Sequence, residues 1–269
     1  MSPYLGLKST TDKDKLSLTM KILRYTVDRR SRYGILDGDL VQSLVGSPCH
    51  HPKATSHYHK LSEIKLLPPC TPSKIVALGL NYRSHSEEMK FPVPIEPLIF
   101  LKPSTSVIGP EDNIIYPDLS HRVDYEGELG VVIKNITRRV PREEAMSHVL
   151  GYTCFNDVTA RDLQPQNGQW TISKSFDTFA AVGPYIETEL DPANVYLETH
   201  LNGELKQRAN TGDLIFSVAE LVSFISQIMT LLPGDIIATG TPSGIGPMKQ
   251  GDTIEVKIEP IGTLRNYVV

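Results

Sequence analysis

The sequence lacks what would place it in a membrane or on a nucleic acid. No window approaches the run of about 18 uninterrupted apolar residues needed to span a bilayer. The N-terminus, MSPYLGLKSTTDKDKLSLT, has neither a basic start nor an apolar signal core, so a cytoplasmic location is expected. Long basic runs are missing too, and a net charge of -4 offers no electrostatic footprint to nucleic acid or an anionic membrane. A small-molecule ligand is the better default. Cysteine is scarce: Cys49, Cys70 and Cys154 are odd in number and widely spaced, which argues against a disulfide framework and fits a reducing compartment. None of the three is assigned a catalytic role. The motifs HExxH, GxSxG and CxxC do not occur, which removes the commonest zinc protease, serine hydrolase and thioredoxin-like readings.

What is present describes an ordinary globular chain. Its 269 residues, 40% hydrophobic and 22% charged with 19 Gly and 20 Pro, can bury one sizeable core plus an appendage, with many turns. From Met20, KILRYTVDRRSRYGILDGDLVQSL alternates apolar and polar residues around DRR and LDGD turns, so residues 20–69 read as a small β unit. Residues 1–19 are polar and unpatterned and read as a flexible extension. The prolines of PPCTPS mark a linker. Three later runs, KIVALGLNY, LIFLK and ELGVVI, are expected to be buried strands. Asn202-Gly203 predicts a hairpin over 195–208. SVAELVSFISQIMTLL carries a capping box at Ser217 and Glu220 and apolar residues at 218, 221, 222, 225, 228 and 229, which predicts a helix. GDIIATGTPSGIG and GDTIEVKIEP read as further strands broken by turns.

Chemistry concentrates in a few places. Glu126 and Glu128 flank a glycine at the mouth of ELGVVI, where the two-residue strand period turns both carboxylates to one face. Paired like charges call for a cation, and carboxylate oxygens suit a hard divalent ion such as Mg²⁺ or Mn²⁺. A solvated strand edge is the alternative. Asp157, in GYTCFNDVTARD, ends an apolar run and would either complete a carboxylate cage or cap the VTARDLQ segment. His85 and Glu88 in NYRSHSEEM stand three residues apart, so on a helical turn the carboxylate can orient the imidazole as a general base. A surface histidine in a charged helix start is the other reading. Arg161 and Gln164 follow Asp157, and Lys174 lies in SKSFDTF: Arg suits a substrate carboxylate and Lys a developing oxyanion, although each alone also reads as a solvated charge. Thr241, in the glycine-rich TGTPSGIG, touches a ligand or simply turns the chain; that loop is neither a P-loop nor a dinucleotide fingerprint. His50, His51, His57 and His59 fit no zinc spacing and read as a plain loop.

Taken in order, GLNYRSH with Glu88, FLKPST, DYEGELGVVI, GYTCFNDVTARDLQ, KSFDTFAAVGP and LLPGDIIATGTPSGIG closely resemble the fumarylacetoacetate hydrolase family, over about residues 74–260. The resemblance implies a mixed, β-rich α+β fold: a β-sandwich roll of the fumarylacetoacetate hydrolase C-terminal type at 70–269 behind a small N-terminal β domain at 20–69, in a homodimer. It implies Glu126, Glu128 and Asp157 as ligands of Mg²⁺ or Mn²⁺, and His85 and Glu88 as a catalytic dyad. It further implies that Arg161, Gln164, Lys174 and Thr241 contact substrate, and Lys174 is expected to be catalytic by stabilising an oxyanion. The chain is similar to the short branch of the family, which includes acylpyruvate hydrolases, oxaloacetate decarboxylases and diene-dioate isomerases. The expected activity is metal-dependent cleavage of a C–C bond in a 2,4-dioxo acid, giving pyruvate and a carboxylic acid. An oxaloacetate-type decarboxylase or a 2-hydroxyhepta-2,4-diene-1,7-dioate isomerase would use the same site, and a sensor that binds an oxo acid is the non-enzymatic alternative.

Overall fold

The computed structural model describes residues 20–50, 52–88, 92–165 and 168–269. The extension expected at 1–19, and His51, lie outside the described residues. Residues 20–69 form five strands: β1 (Lys21–Val27), β2 (Arg30–Asp37), β3 (Leu40–Val45), β4 (Lys53–Lys60) and β5 (Lys65–Leu67). The DRR and LDGD turns fall where the pattern placed them, between β1 and β2 and between β2 and β3. The histidine tract corrects the reading of a plain loop, because His57 and His59 stand on β4. This strand ladders only onto β3 among the described residues, and most of its side chains are exposed. Backbone pairing holds it rather than burial, so no apolar period marks it.

The rest of the chain adds β6 (Lys74–Gly79), helix α1 (Arg83–Glu88), β7 (Leu98–Pro103), β8 (Val107–Ile108), β9 (Asn113–Ile114), β10 (Val123–Tyr125), β11 (Gly127–Ile133), β12 (Val149–Asp157) and β13 (Thr159–Ala160). After the one-turn helix α2 (Thr171–Lys174) come β14 (Ala180–Glu187), β15 (Tyr196–Leu201), β16 (Glu204–Asn210) and helix α3 (Val218–Ile228). β17 (Ile236–Ala238), β18 (Gly246–Met248), β19 (Thr253–Ile258) and β20 (Gly262–Val268) finish the chain. The long sheet runs β4-β3-β2-β1-β14-β12-β11-β17-β6-β7, with β5 beside β1 and β8 beside β14. The five N-terminal strands therefore continue the main sheet, joined where Lys21 and Ile22 lie opposite Glu187 and Ile186. A second sheet, β16-β15-β19-β20-β9, and a small third, β13-β10-β18, complete the β-rich sandwich expected of the chain.

Strand alternation sorts the core into two faces. Leu129, Val131 and Ile133 of β11 pack with Leu197 and Val256 of the second sheet and with Leu221 and Val222 of α3. Val132 points the other way, with Phe155, Ala77 and Ala238, and this second face carries the candidate site. β11 is buried at every position, as its apolar run predicts. LIFLK corrects that expectation: β7 is the outer strand of the long sheet, and Leu98 and Leu101 are exposed while Lys102 is buried. α3 has the full capping box, with Ser217 and Glu220 exchanging bonds, and it buries Val218, Leu221, Val222 and Ile225 but leaves Ile228 exposed at its end. Among the described residues no helix is long and apolar enough to cross a membrane.

Candidate active site

Two glutamates reach one face because a glycine lets two sheets meet behind them. A Cβ on Gly127 would fall 2.1 Å from Oγ1 of Thr199 on β15, so only glycine fits there. Its NH donates to Oε1 of Gln207 (3.0 Å) and its carbonyl accepts from Oγ1 of Thr241 (2.9 Å), which anchors the turn from β10 into β11. Glu126 and Glu128 then project to the opposite face. Asp157, at the end of β12, is held alongside by its NH on the Glu126 carbonyl (2.8 Å). One oxygen from each carboxylate lies within 4.8 Å of the others, and all three residues are buried. A solvated strand edge is thereby excluded, and the Asp157 carboxylate caps no helix.

Three cations answer two of these acids, Glu126 and Asp157. Nζ of Lys174 donates to Oε2 of Glu126 (2.6 Å) and to Oδ2 of Asp157 (2.7 Å), while Nζ of Lys102 holds the other oxygen of Asp157 (2.5 Å). Arg161 is fully committed: Nη2 to Glu126, Nε to Asp124 (2.9 Å) and Nη1 to Oε1 of Gln164 (2.5 Å). Burial works against charge on Glu126, but Lys174 and Arg161 outweigh it and hold the carboxyl below its ordinary range. Glu128 has the opposite balance. Its own burial, then Asp157 and Glu126, push its pKa well up against the weaker pull of Lys174 and the Gly240 NH. Lys102, wholly enclosed, is drawn downward by burial against the pull of Asp157.

The dyad faces the same space. Nδ1 of His85 lies 3.1 Å from Oε2 of Glu88 on α1, and Glu88 in turn accepts from the NH of Gly244 (3.1 Å). Asn81 pins the start of that segment by donating to the Thr239 carbonyl (2.8 Å) and accepting from the Phe216 NH (2.8 Å). His85 is buried, not a surface histidine. A cavity of about 650 Å³ brings together His85, Glu126, Arg161, Gln164, Lys174 and Thr241, along with apolar residues such as Leu98, Phe100 and Trp170. Thr241 also serves the fold, since it bonds both Gly127 and Gln207.

The fumarylacetoacetate (FAA) hydrolase C-terminal family model matches residues 74–269, and an Rv2993c-like N-terminal model matches residues 20–69. The chain belongs to the fumarylacetoacetate hydrolase family. It is 44% identical over 221 residues to a mitochondrial oxaloacetate tautomerase of Bos taurus, covering 77% of this chain and 70% of that protein. A 2-hydroxyhepta-2,4-diene-1,7-dioate isomerase from Mycobacterium marinum superposes with a TM-score of 0.87 at 40% identity, over 93% of this chain and 98% of the other. Maleylpyruvate hydrolase from Sphingobium sp. SYK-6, solved with manganese(II) and pyruvate, superposes with a TM-score of 0.77 at 30% identity, over 93% of this chain and 99% of the other. Members of the superfamily are enzymes, among them hydrolases, isomerases and tautomerases.

A divalent ion fits this family member's carboxylates on an observation of its own. Oε2 of Glu128 accepts from the NH of Gly240 (2.8 Å), but Oε1 is buried without a hydrogen-bond partner among the described residues. An oxygen so placed fits a metal ligand, and an all-carboxylate donor set favours Mg²⁺ or Mn²⁺ over softer ions. Sequence reasoning passed over Lys102, Asp124, Phe100 and Trp170. Two of these left a trace: Lys102 ends an otherwise apolar strand, and Asp124 precedes Glu126 by one strand period. The aromatic pair left none, because what makes it part of the site is where α2 folds back onto β7.

Proposed function

We propose that the chain is a divalent-metal-dependent hydrolase that cleaves a 2,4-dioxo acid of the acylpyruvate type into pyruvate and a carboxylic acid. The observation that carries this reading is a buried three-carboxylate cluster and a His-Glu dyad that meet at one cavity through Glu126 and His85. Mg²⁺ or Mn²⁺ held by Glu126, Glu128 and Asp157 would supply Lewis acidity toward the carboxylate and 2-oxo oxygens. Glu88 engages Nδ1 of His85, which leaves Nε2 to take a proton from water. That water adds to the C4 carbonyl, and the Lys174 ammonium stands on the cavity wall to meet the developing oxyanion. The C3–C4 bond then breaks with its electron pair on C3, which accepts a proton to give pyruvate, while the acyl group leaves as a carboxylate. Arg161 and Gln164 orient the acid head, Arg161 through its grip on Glu126.

A second reading draws on the tautomerase and isomerase relatives, whose identities of 44% and 40% exceed the 30% of the hydrolase. There His85 would move a proton to or from C3 without adding water, giving keto–enol tautomerisation or double-bond migration. The test offers acetylpyruvate, fumarylpyruvate and enol-oxaloacetate side by side, with and without Mg²⁺ or Mn²⁺. Metal-dependent pyruvate release from a dioxo acid supports the hydrolase. Loss of enol absorbance from oxaloacetate without pyruvate release moves the assignment to tautomerase, and silence on all three overturns both.

A further inference from the structure

The cavity exceeds what a 2-oxo acid head requires. At about 650 Å³ it lies in the range that houses drug-sized ligands. Its lining includes the polar His85, Glu126, Arg161 and Lys174 and the apolar Leu80, Leu98, Phe100 and Trp170. A single helical turn links Trp170 to Lys174. The Trp170 carbonyl accepts from the NH groups of Ser173 and Lys174 (3.0 Å each) and from Oγ of Ser173 (2.9 Å), so indole and ammonium are fixed relative to each other. Nζ of Lys174 lies 5.2 Å from the centre of the Phe100 ring, and that ring meets Trp170 edge-on at 5.1 Å. A chain leaving the carboxylate cluster past Lys174 thus runs along Phe100 and then Trp170.

The indole is seated deliberately. Nε1 of Trp170 donates to the Pro165 carbonyl (3.2 Å), which satisfies its one polar atom and leaves apolar surface for the cavity. Gly79, the last residue of β6, makes room: a Cβ there would stand 2.6 Å from the indole ring. We propose that Trp170 is a specificity-determining residue, packing against hydrocarbon beyond the 2-oxo acid head, so that the substrate is an extended 2-oxo acid rather than one of three or four carbons. The inference rests on the 2-oxo acid reading above and narrows it.

Trp170 is the only tryptophan, so its emission reports occupancy without turnover. The Mg²⁺-loaded protein is titrated by calorimetry and fluorescence with oxalate, which carries the head alone, and with pyruvate, 2-oxopentanoate and 2-oxooctanoate. Affinity should rise at least about tenfold from pyruvate to 2-oxooctanoate, with an emission shift that grows with chain length. Trp170→Ala should erase that dependence while changing oxalate affinity by less than about threefold, and Trp170→Phe should keep part of it. Far-UV circular dichroism checks that each variant is folded. No chain-length dependence in the wild type overturns the proposal, as does a folded variant that loses oxalate and 2-oxooctanoate equally. Failure of the wild type to bind oxalate with Mg²⁺ overturns the 2-oxo acid reading itself, and this inference with it.

Discussion

At the scale of single residues, the site is a contest over charge on Glu128. Burial, reinforced by Asp157 and Glu126, raises its pKa in the folded chain above the unfolded value. In metal-free protein the folded state therefore keeps a proton that the unfolded state releases, and this contribution to stability declines as pH rises above the ordinary carboxylate value. Glu126 runs the other way: its lowered pKa gives stability that is present above the ordinary value and lost as pH falls. Glu128→Gln should therefore be more stable than wild type at neutral pH in EDTA, lack the decline of Tm with rising pH, and gain nothing from Mn²⁺. Parallel Tm profiles for the two proteins would show that Glu128 carries no such penalty. His85 makes a separate prediction, because it touches the cavity but none of the three acids. His85→Ala should lower metal-dependent turnover by about 10²- to 10⁴-fold while oxalate binding persists; equal loss of both would make it a structural residue.

At the scale of elements, the Glu-Gly-Glu turn carries both fold and site. Gly127→Ala must push Thr199 and β15 away from the glutamates, an overpacking that should cost about 1–3 kcal/mol in urea unfolding and weaken metal binding as well. Wild-type stability would mean that the two sheets have slack behind the site. Whatever is encoded locally could be read without coordinates. The Ser217–Glu220 box starts α3, Asn202 and Gly203 turn the β15–β16 hairpin at positive φ, and the ELGVVI run is buried throughout. Glu126, Glu128 and Asp157 stood out because strand period and strand ends are sequence properties. Illegible were the features set by position in a sheet. β4 lacks an apolar stripe because it is an outer strand, and β7 is half exposed for the same reason, although its composition is that of a core strand. The partners of Lys102 and Lys174 depend on strand order, which places β7 and α2 beside residues 55 and 17 positions away in the chain.

At the scale of the whole molecule, the two matched segments share one sheet. β1 adds to β14 through Lys21–Glu187 and Ile22–Ile186, and Ile22 and Cys70 sit in the same apolar cluster as Phe155, Val182 and Ala238. That cluster lies on the face of the long sheet that also bears the carboxylates, so the N-terminal strands buttress the platform on which the site is built. Residues 74–269 made alone would expose the end of β14 as an unpaired edge and strip Ile22 and Cys70 from the cluster, an arrangement that invites edge-to-edge association. The truncated chain should therefore elute partly as aggregate in size-exclusion chromatography and melt below the full chain, although every carboxylate, cation and dyad residue remains present. Added Mn²⁺ should recover part of that loss, because an ion that binds only the folded state stabilises it by about 2.7 kcal/mol at a hundred times its Kd. A truncated chain that elutes without aggregate, in the same oligomeric state as the full chain, and melts with it would mean that the shared sheet is a seam between two independent units rather than one cooperative structure.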